Sequence, residues 1–127
     1  MSGTKKEFKP LTKAEESVMQ ALWQYDAAFI KEVIAAMPAP QPHYNTVSTL
    51  LKILAEKGFV VSETMGNAHR YRALVSKDDY SRRSVQQIVK GYFNNSFKEM
   101  ISFFAAEKEL DIATLEEVLK TLKKAKK

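Results

Sequence analysis

Tyr44-Asn45-Thr46-Val47-Ser48-Thr49-Leu50-Leu51-Lys52-Ile53-Leu54-Ala55-Glu56-Lys57-Gly58 is the stretch on which the fold turns. Val47, Leu50, Leu51 and Leu54 recur at helical spacing, which predicts a helix over residues 44–57 with that stripe turned inward. Asn45, Thr46, Ser48, Thr49 and Lys52 are left outside. A helix face that is merely solvated carries more Glu, Lys and Arg than this one, where Lys52 stands alone among short hydroxyl and amide side chains. Gly58 falls where a C-terminal cap belongs, since glycine takes the left-handed conformation at little cost. Phe59-Val60-Val61-Ser62-Glu63-Thr64 then reads as a strand, Gly66-Asn67 as turn chemistry, and His69-Arg70-Tyr71-Arg72-Ala73-Leu74-Val75 as the returning strand of a two-stranded hairpin.

Working back from Tyr44, Pro38-Ala39-Pro40-Gln41-Pro42 cannot be helical: the prolines remove amides and push their neighbours to extended geometry. Before this loop, Ile30, Val33, Ile34 and Met37 form the stripe of a short helix over about 30–37. Its start is soft, because Ala27-Ala28-Phe29 offers no side-chain oxygen as a cap. The first helix opens at Thr12, with Glu15 three residues on completing a capping box. Ala14, Val18, Ala21, Leu22 and Tyr25 follow at helical spacing with Met19 and Trp23 beside them, which carries the helix to about Tyr25-Asp26. Trp23 reads as core packing. Residues 1–10 are polar and basic with no apolar run behind them and are expected to form a loose arm.

On the other side of the hairpin, Ser76 and Asp79 repeat a capping signature. A long helical region follows to about Ala106, with Gly91 and the Asn94-Asn95-Ser96 step expected to break it. Asp111 caps a last helix whose apolar face holds Ile112, Leu115, Val118, Leu119 and Leu122. The aromatic load between Tyr92 and Phe104 is large for so short a chain, and would leave an exposed apolar patch unless two copies pair. The expected organisation is therefore an arm over 1–10, a domain over 11–76 and a helical dimerisation region over 77–127. Helix, helix, turn, helix, hairpin is the order of a winged helix-turn-helix, a mainly α fold of three helices plus a two-stranded wing.

The 127 residues contain no cysteine, which excludes disulfides, thiol nucleophiles and cysteine-based zinc sites. Nothing in the chain approaches the length of an apolar membrane span, and a cytoplasmic location is expected. The net charge of +5 is a mild bias toward polyanions. Residues 1–77 hold ten Lys and Arg against seven Asp and Glu, and residues 78–127 hold ten against eight. In the second part five of the basic residues are Lys120, Lys123, Lys124, Lys126 and Lys127, a solvated end that also suits the C-terminal dipole of a helix. Arg82-Arg83 reads as a solvated face. His43 and His69 are too few for a metal site, and no Ser, Asp and His are framed for nucleophilic work, so neither a metal, a cofactor nor an enzyme activity is expected.

The ordered motifs resemble those of the penicillinase-repressor family, the BlaI/MecI/CopY type. Leu11-Thr12-Lys13-Ala14-Glu15 with Val18-Met19-Gln20-Ala21-Leu22-Trp23 is similar to its opening. Thr46-Val47-Ser48-Thr49-Leu50-Leu51 with Leu54 and Lys57-Gly58-Phe59 is similar to its third helix. Gly66 with Arg70-Tyr71-Arg72-Ala73-Leu74-Val75 resembles the wing segment Gly-Arg … Tyr-x-Pro-Leu-Val. Phe93-Asn94-Asn95-Ser96 with Met100-Ile101-Ser102-Phe103-Phe104 resembles the tail segment Phe-x-Gly-Ser … Leu-Val-x-x-Phe. The likeness runs from about Leu11 to Leu122. It implies a dimeric repressor of a resistance or stress operon, bound to a palindromic operator. In the β-lactam branch a membrane-bound metalloprotease sensor relieves repression by cutting an Asn–Phe bond; here Phe103-Phe104 stands at that place. The cysteine switch of the copper branch is absent. Asn67 replaces the arginine after the wing glycine, and Pro42-His43-Tyr44-Asn45 replaces the usual Trp-Ser-Pro-Lys lead-in.

These readings nominate Asn45, Thr46, Ser48 and Thr49 for base edges in the major groove, where each base pair has its own donor and acceptor pattern. Tyr44, Lys52, Asn67, His69, Arg70 and Arg72 are nominated for phosphate or groove contact. Tyr92, Phe93, Phe97, Met100, Ile101, Phe104, Leu115, Leu119 and Leu122 are nominated for dimerisation. The partners expected are double-stranded operator DNA, a second copy of the chain and the protease sensor. The alternative is a winged helix whose groove-facing surface is reused for a protein partner.

Overall fold

The computed structural model describes residues 10–125. The expected arm, apart from Pro10, and the last two lysines lie outside the described residues. In chain order the elements are α1 (Lys13–Leu22), β1 (Ala28–Phe29), α2 (Ile30–Ala35), α3 (Tyr44–Glu56), β2 (Val60–Met65), β3 (Ala68–Ala73), α4 (Lys77–Tyr92), α5 (Phe97–Ala106) and α6 (Ile112–Ala125). The chain divides into two compact units within α4, one ending at Arg83 and the other beginning at Ser84.

The first unit is a winged helix: α1, α2 and α3 around one core, closed by an antiparallel sheet of order β1-β3-β2. Val18, Met19 and Leu22 of α1, Val33 of α2, and Val47, Leu51 and Leu54 of α3 are shut off from solvent entirely. Val60 and Tyr71 bring the sheet against them. Ala14, expected inward, is exposed.

The sheet is where sequence and structure differ most. Ala28 and Phe29 form a third strand, pairing with Tyr71 and Arg70. Two residues are too few to show alternation, and the strand exists because the edge of β3 offers its free backbone groups. α1 ends at Leu22, three residues before the expected stop, and closes in a tighter turn where Gln24 and Tyr25 donate to the carbonyls of Ala21 and Leu22. α2 likewise ends at Ala35, while Met37 is buried beyond it. No side chain caps its first turn from Phe29; instead Glu32, three residues on, reaches back and its carboxylate accepts from the Phe29 amide at 2.8 Å.

The start of α4 is strapped to the core. The Tyr80 hydroxyl accepts from the Leu11 amide at 2.8 Å, its ring lies 5.9 Å from those of Trp23 and Phe59, and Trp23 Nε1 donates to the Val75 carbonyl at 2.8 Å.

In the second unit Gly91 lies inside α4, and the break falls at Asn94 and Asn95, both left-handed with φ of 53° and 61°. Asparagine tolerates that region through local hydrogen bonds of its short amide. Asn94 Nδ2 donates to Glu99, and Ser96 Oγ caps α5 by accepting from the Glu99 amide. Phe93 and Phe103 pack with ring centres 5.6 Å apart, and Asp111 caps α6 through the Thr114 amide at 2.8 Å.

One ion pair ties the beginning of α1 to the end of α3. Glu15 is 4% exposed. It closes the expected capping box with Thr12, and Lys57, the C-cap of α3, donates Nζ to both of its carboxylate oxygens at 2.9 Å. Burial works to raise the Glu15 pKa, but the bonds from Lys57 and the Thr12 amide outweigh it and hold the carboxyl below its ordinary value of 4.5. Ionised Glu15 therefore adds stability above that ordinary value, and the contribution disappears as pH falls through the lower folded-state value. Glu15→Gln is expected to cost about 1–2 kcal/mol at neutral pH. In chemical denaturation across pH, the gap between variant and parent should close below pH 4.5. A gap that stayed constant down to acid pH would show that the charge is not what matters.

Candidate nucleic-acid interface

The buried stripe of α3 determines what its other side presents. Because Val47, Leu51 and Leu54 point into the core, Asn45, Thr49 and Lys52 project almost directly away from it and are exposed. Thr46 is exposed on one flank. Tyr44, Ser48 and Lys52 form a row at four-residue spacing on the other; Tyr44 is half-exposed and Ser48 half-buried. His43 caps the helix through its backbone, accepting from the Val47 amide.

The row Tyr44-Ser48-Lys52 forms one wall of an open groove of about 640 Å³. The opposite wall is the hairpin end, Asn67, Ala68 and His69 with Tyr71 below, and its floor is the start of α2. The hairpin closes through the two-residue loop Gly66-Asn67 between paired Met65 and Ala68. Gly66 has φ of 63°, the positive value that a two-residue hairpin needs at its first loop position. The Ser62 hydroxyl oxygen and His69 Nδ1 lie 3.3 Å apart, which steadies the imidazole against β2.

The four wing residues singled out from the sequence do not share one surface. Alternation along β3 sets His69 with Tyr71 on the face toward the core and groove, and Arg70 with Arg72 on the opposite face. Asn67 and His69 thus join the Tyr44-Ser48-Lys52 row, and the two arginines do not.

The arginines are paired with a residue that sequence reasoning passed over. Glu63 stands directly across from Arg70 in the register. Arg72 donates Nε and Nη2 to its Oε2 at 3.0 and 2.8 Å, and Arg70 donates Nη2 to its Oε1 at 3.3 Å. Hydrogen bonding from Arg72 is the largest influence on the Glu63 carboxyl; with the smaller help of Arg70 it outweighs desolvation and holds the carboxyl below the usual range. The signal lay in the register: a hairpin centred on Gly66-Asn67 sets residues summing to a constant opposite one another, which places 63 against 70.

Among the described residues no group of three histidines, aspartates or glutamates is placed to hold a metal ion. None of the described helices is long and apolar enough to cross a membrane.

The profile of the penicillinase repressor family matches residues 11–124. The chain belongs to the penicillinase repressor family. The methicillin resistance regulatory proteins MecI of Staphylococcus aureus and Mammaliicoccus sciuri are each 22% identical to it over 115 residues, which is 90% of this chain and 94% of theirs. The solution structure of the DNA-binding domain of the repressor BlaI superposes with a TM-score of 0.50 at 25% identity, covering 59% of this chain and 93% of that domain. As a penicillinase repressor family member the chain is a DNA-binding transcriptional repressor and not an enzyme.

A Cβ at Gly66 would meet no atom within 4 Å, so the cost of placing one there is purely conformational. Gly66→Ala is expected to destabilise the protein by about 1–2 kcal/mol, and Gly66→Asn by less. Equal losses for the two in denaturant titrations would show that backbone conformation is not the cause.

Proposed function

We propose that this repressor works as a cytoplasmic homodimer on a palindromic operator, controlling a resistance or stress operon, with α3 reading base edges and the hairpin contacting the sugar-phosphate backbone. The observation that carries the reading is the exposed face of α3: Asn45, Thr46 and Thr49 with Lys52, short polar groups on a helix whose other side is locked in the core. Asn45, Thr46, Ser48 and Thr49 are the groups for base readout. Tyr44, Lys52, Asn67 and His69 line one groove from which a duplex would be gripped, and Arg70 and Arg72 offer charge from the other wing face.

Residues up to about 76 form the DNA-binding part in this reading, and residues from 77 onward join two copies. Supporting this, helices of the second unit leave large apolar side chains uncovered: Tyr92 is 81% exposed, and Phe97, Ile101, Leu119 and Leu122 are about half so. Phe93, Met100, Phe104 and Leu115 are partly covered within one chain and complete the same apolar set. Patches of this kind on a short chain are covered by a partner. Two-fold symmetry then sets half-sites roughly 34–36 Å apart, or a multiple of that. Relief by a membrane-bound protease sensor rests on family likeness alone, with Phe103-Phe104 on α5 at the corresponding place.

The test is a mobility shift with DNA from immediately upstream of the gene against random duplex at two salt concentrations. Tight, salt-dependent binding that survives random competitor is expected. Equally weak binding to both, with no duplex enriched from a random-sequence library, would favour the protein-partner alternative. Arg70→Ala should weaken binding to the upstream duplex and flatten its salt dependence, whereas Thr49→Ala should reduce discrimination between duplexes by roughly five- to tenfold. Sedimentation should give twice the chain mass for the parent and a single one for Ile101→Asp/Leu119→Asp; a monomeric parent would remove the palindrome.

A further inference from the structure

The cluster on the outer wing face has a charge balance that phosphate contact alone does not account for. Two guanidinium groups share one carboxylate, so Glu63, Arg70 and Arg72 together present a single net positive charge. The side chains are between 32% and 43% exposed. Ion pairs in such positions add little to folding, so stability does not explain the carboxylate. Arg72 is held by two short bonds to one oxygen. Arg70 is held by one longer bond, and its Nε is buried without a hydrogen-bond partner among the described residues. Both guanidinium groups keep N–H donors that Glu63 does not use, and Arg70, held by the single longer bond, is the more easily released of the two.

Any phosphate approaching these arginines meets Glu63 twice over, as a like charge and as a rival acceptor already in place. Attraction to phosphate is the part of DNA binding that is common to all sequences, and it supplies nearly all of non-specific affinity. A loosely seated random duplex offers phosphates at changing positions and does not displace a fixed carboxylate. A duplex held in register by α3 presents a phosphate at one fixed position, where Arg70 can exchange from Glu63.

We propose that Glu63 is a specificity-determining residue of the wing: its carboxylate restrains Arg70 and Arg72 from nucleic-acid phosphates, so that sequence-independent binding stays weak and α3 decides between duplexes. The inference rests on the reading of this wing as a DNA-contacting element.

The experiment is an anisotropy titration of the full chain, as parent, Glu63→Gln and Glu63→Asp, over a range of salt. The probes are a random duplex and the duplex that the parent enriches from a random-sequence library. Glu63→Gln is expected to bind the random duplex roughly five- to tenfold more tightly, with a salt slope steeper by about one. Its affinity for the enriched duplex should rise by a smaller factor, so the ratio between the two falls. Glu63→Asp keeps the charge and should stay close to the parent. In an Arg70→Ala/Arg72→Ala background, Glu63→Gln should gain clearly less on the random duplex, since only the like-charge repulsion is then relieved. Unchanged random-duplex affinity in Glu63→Gln, an equal gain on both duplexes, or an equal gain from Glu63→Asp would each overturn the proposal. If the parent enriches no duplex at all, the repressor reading itself falls, which separates the two failures.

Discussion

Val47, Leu51 and Leu54 have no exposure to solvent, and almost everything else about the first unit follows from that burial. A helix turns 100° per residue, so locking three positions of α3 into the core fixes the direction of the rest. Asn45, Thr49 and Lys52 are forced outward not by any preference of their own but by the stripe behind them. The surrounding contacts keep α3 from rolling. Lys57 at its C-terminus reaches Glu15 at the start of α1, and Val18, Met19 and Leu22 fill the space between. A rotation of α3 large enough to hide Thr49 would expose a buried leucine, at a cost of a few kcal/mol.

The pleat of the hairpin imposes a second constraint. Successive residues of β3 must point to opposite faces, so a run such as His69-Arg70-Tyr71-Arg72 cannot act as one basic patch. His69 and Asn67 end up beside α3, and the arginines end up with Glu63. Counting charge along the sequence overstates what any one surface of the wing offers. The same geometry explains why Gly66 belongs at the tip: only a positive φ there turns the chain in two residues while keeping Glu63 opposite Arg70.

Much of this was legible from residues alone, for identifiable reasons. α3, the capping box of Thr12 and Glu15, and the caps by Ser76 and Asp111 are local signals, written within a few residues of the structure they make. What escaped was non-local. The strand at Ala28–Phe29 exists through pairing with β3, some forty residues on, and neither alanine nor a single phenylalanine announces it. Glu63 looked like an ordinary polar residue on a strand until the register set it opposite Arg70. Gly91 lies within α4, and the chain instead breaks at Asn94 and Asn95, which take the left-handed turn.

The central claim is that DNA meets this protein where the outward face of α3 adjoins the hairpin end. Amide hydrogen exchange of the full chain, with and without the duplex it selects, addresses this most directly. Protection should rise at the start of α3 and across the Gly66-Asn67 turn to His69, with little change along the buried centre of α1. Protection confined to α5 and α6, with α3 and the turn unaltered, would contradict the account and move the interface to the second unit.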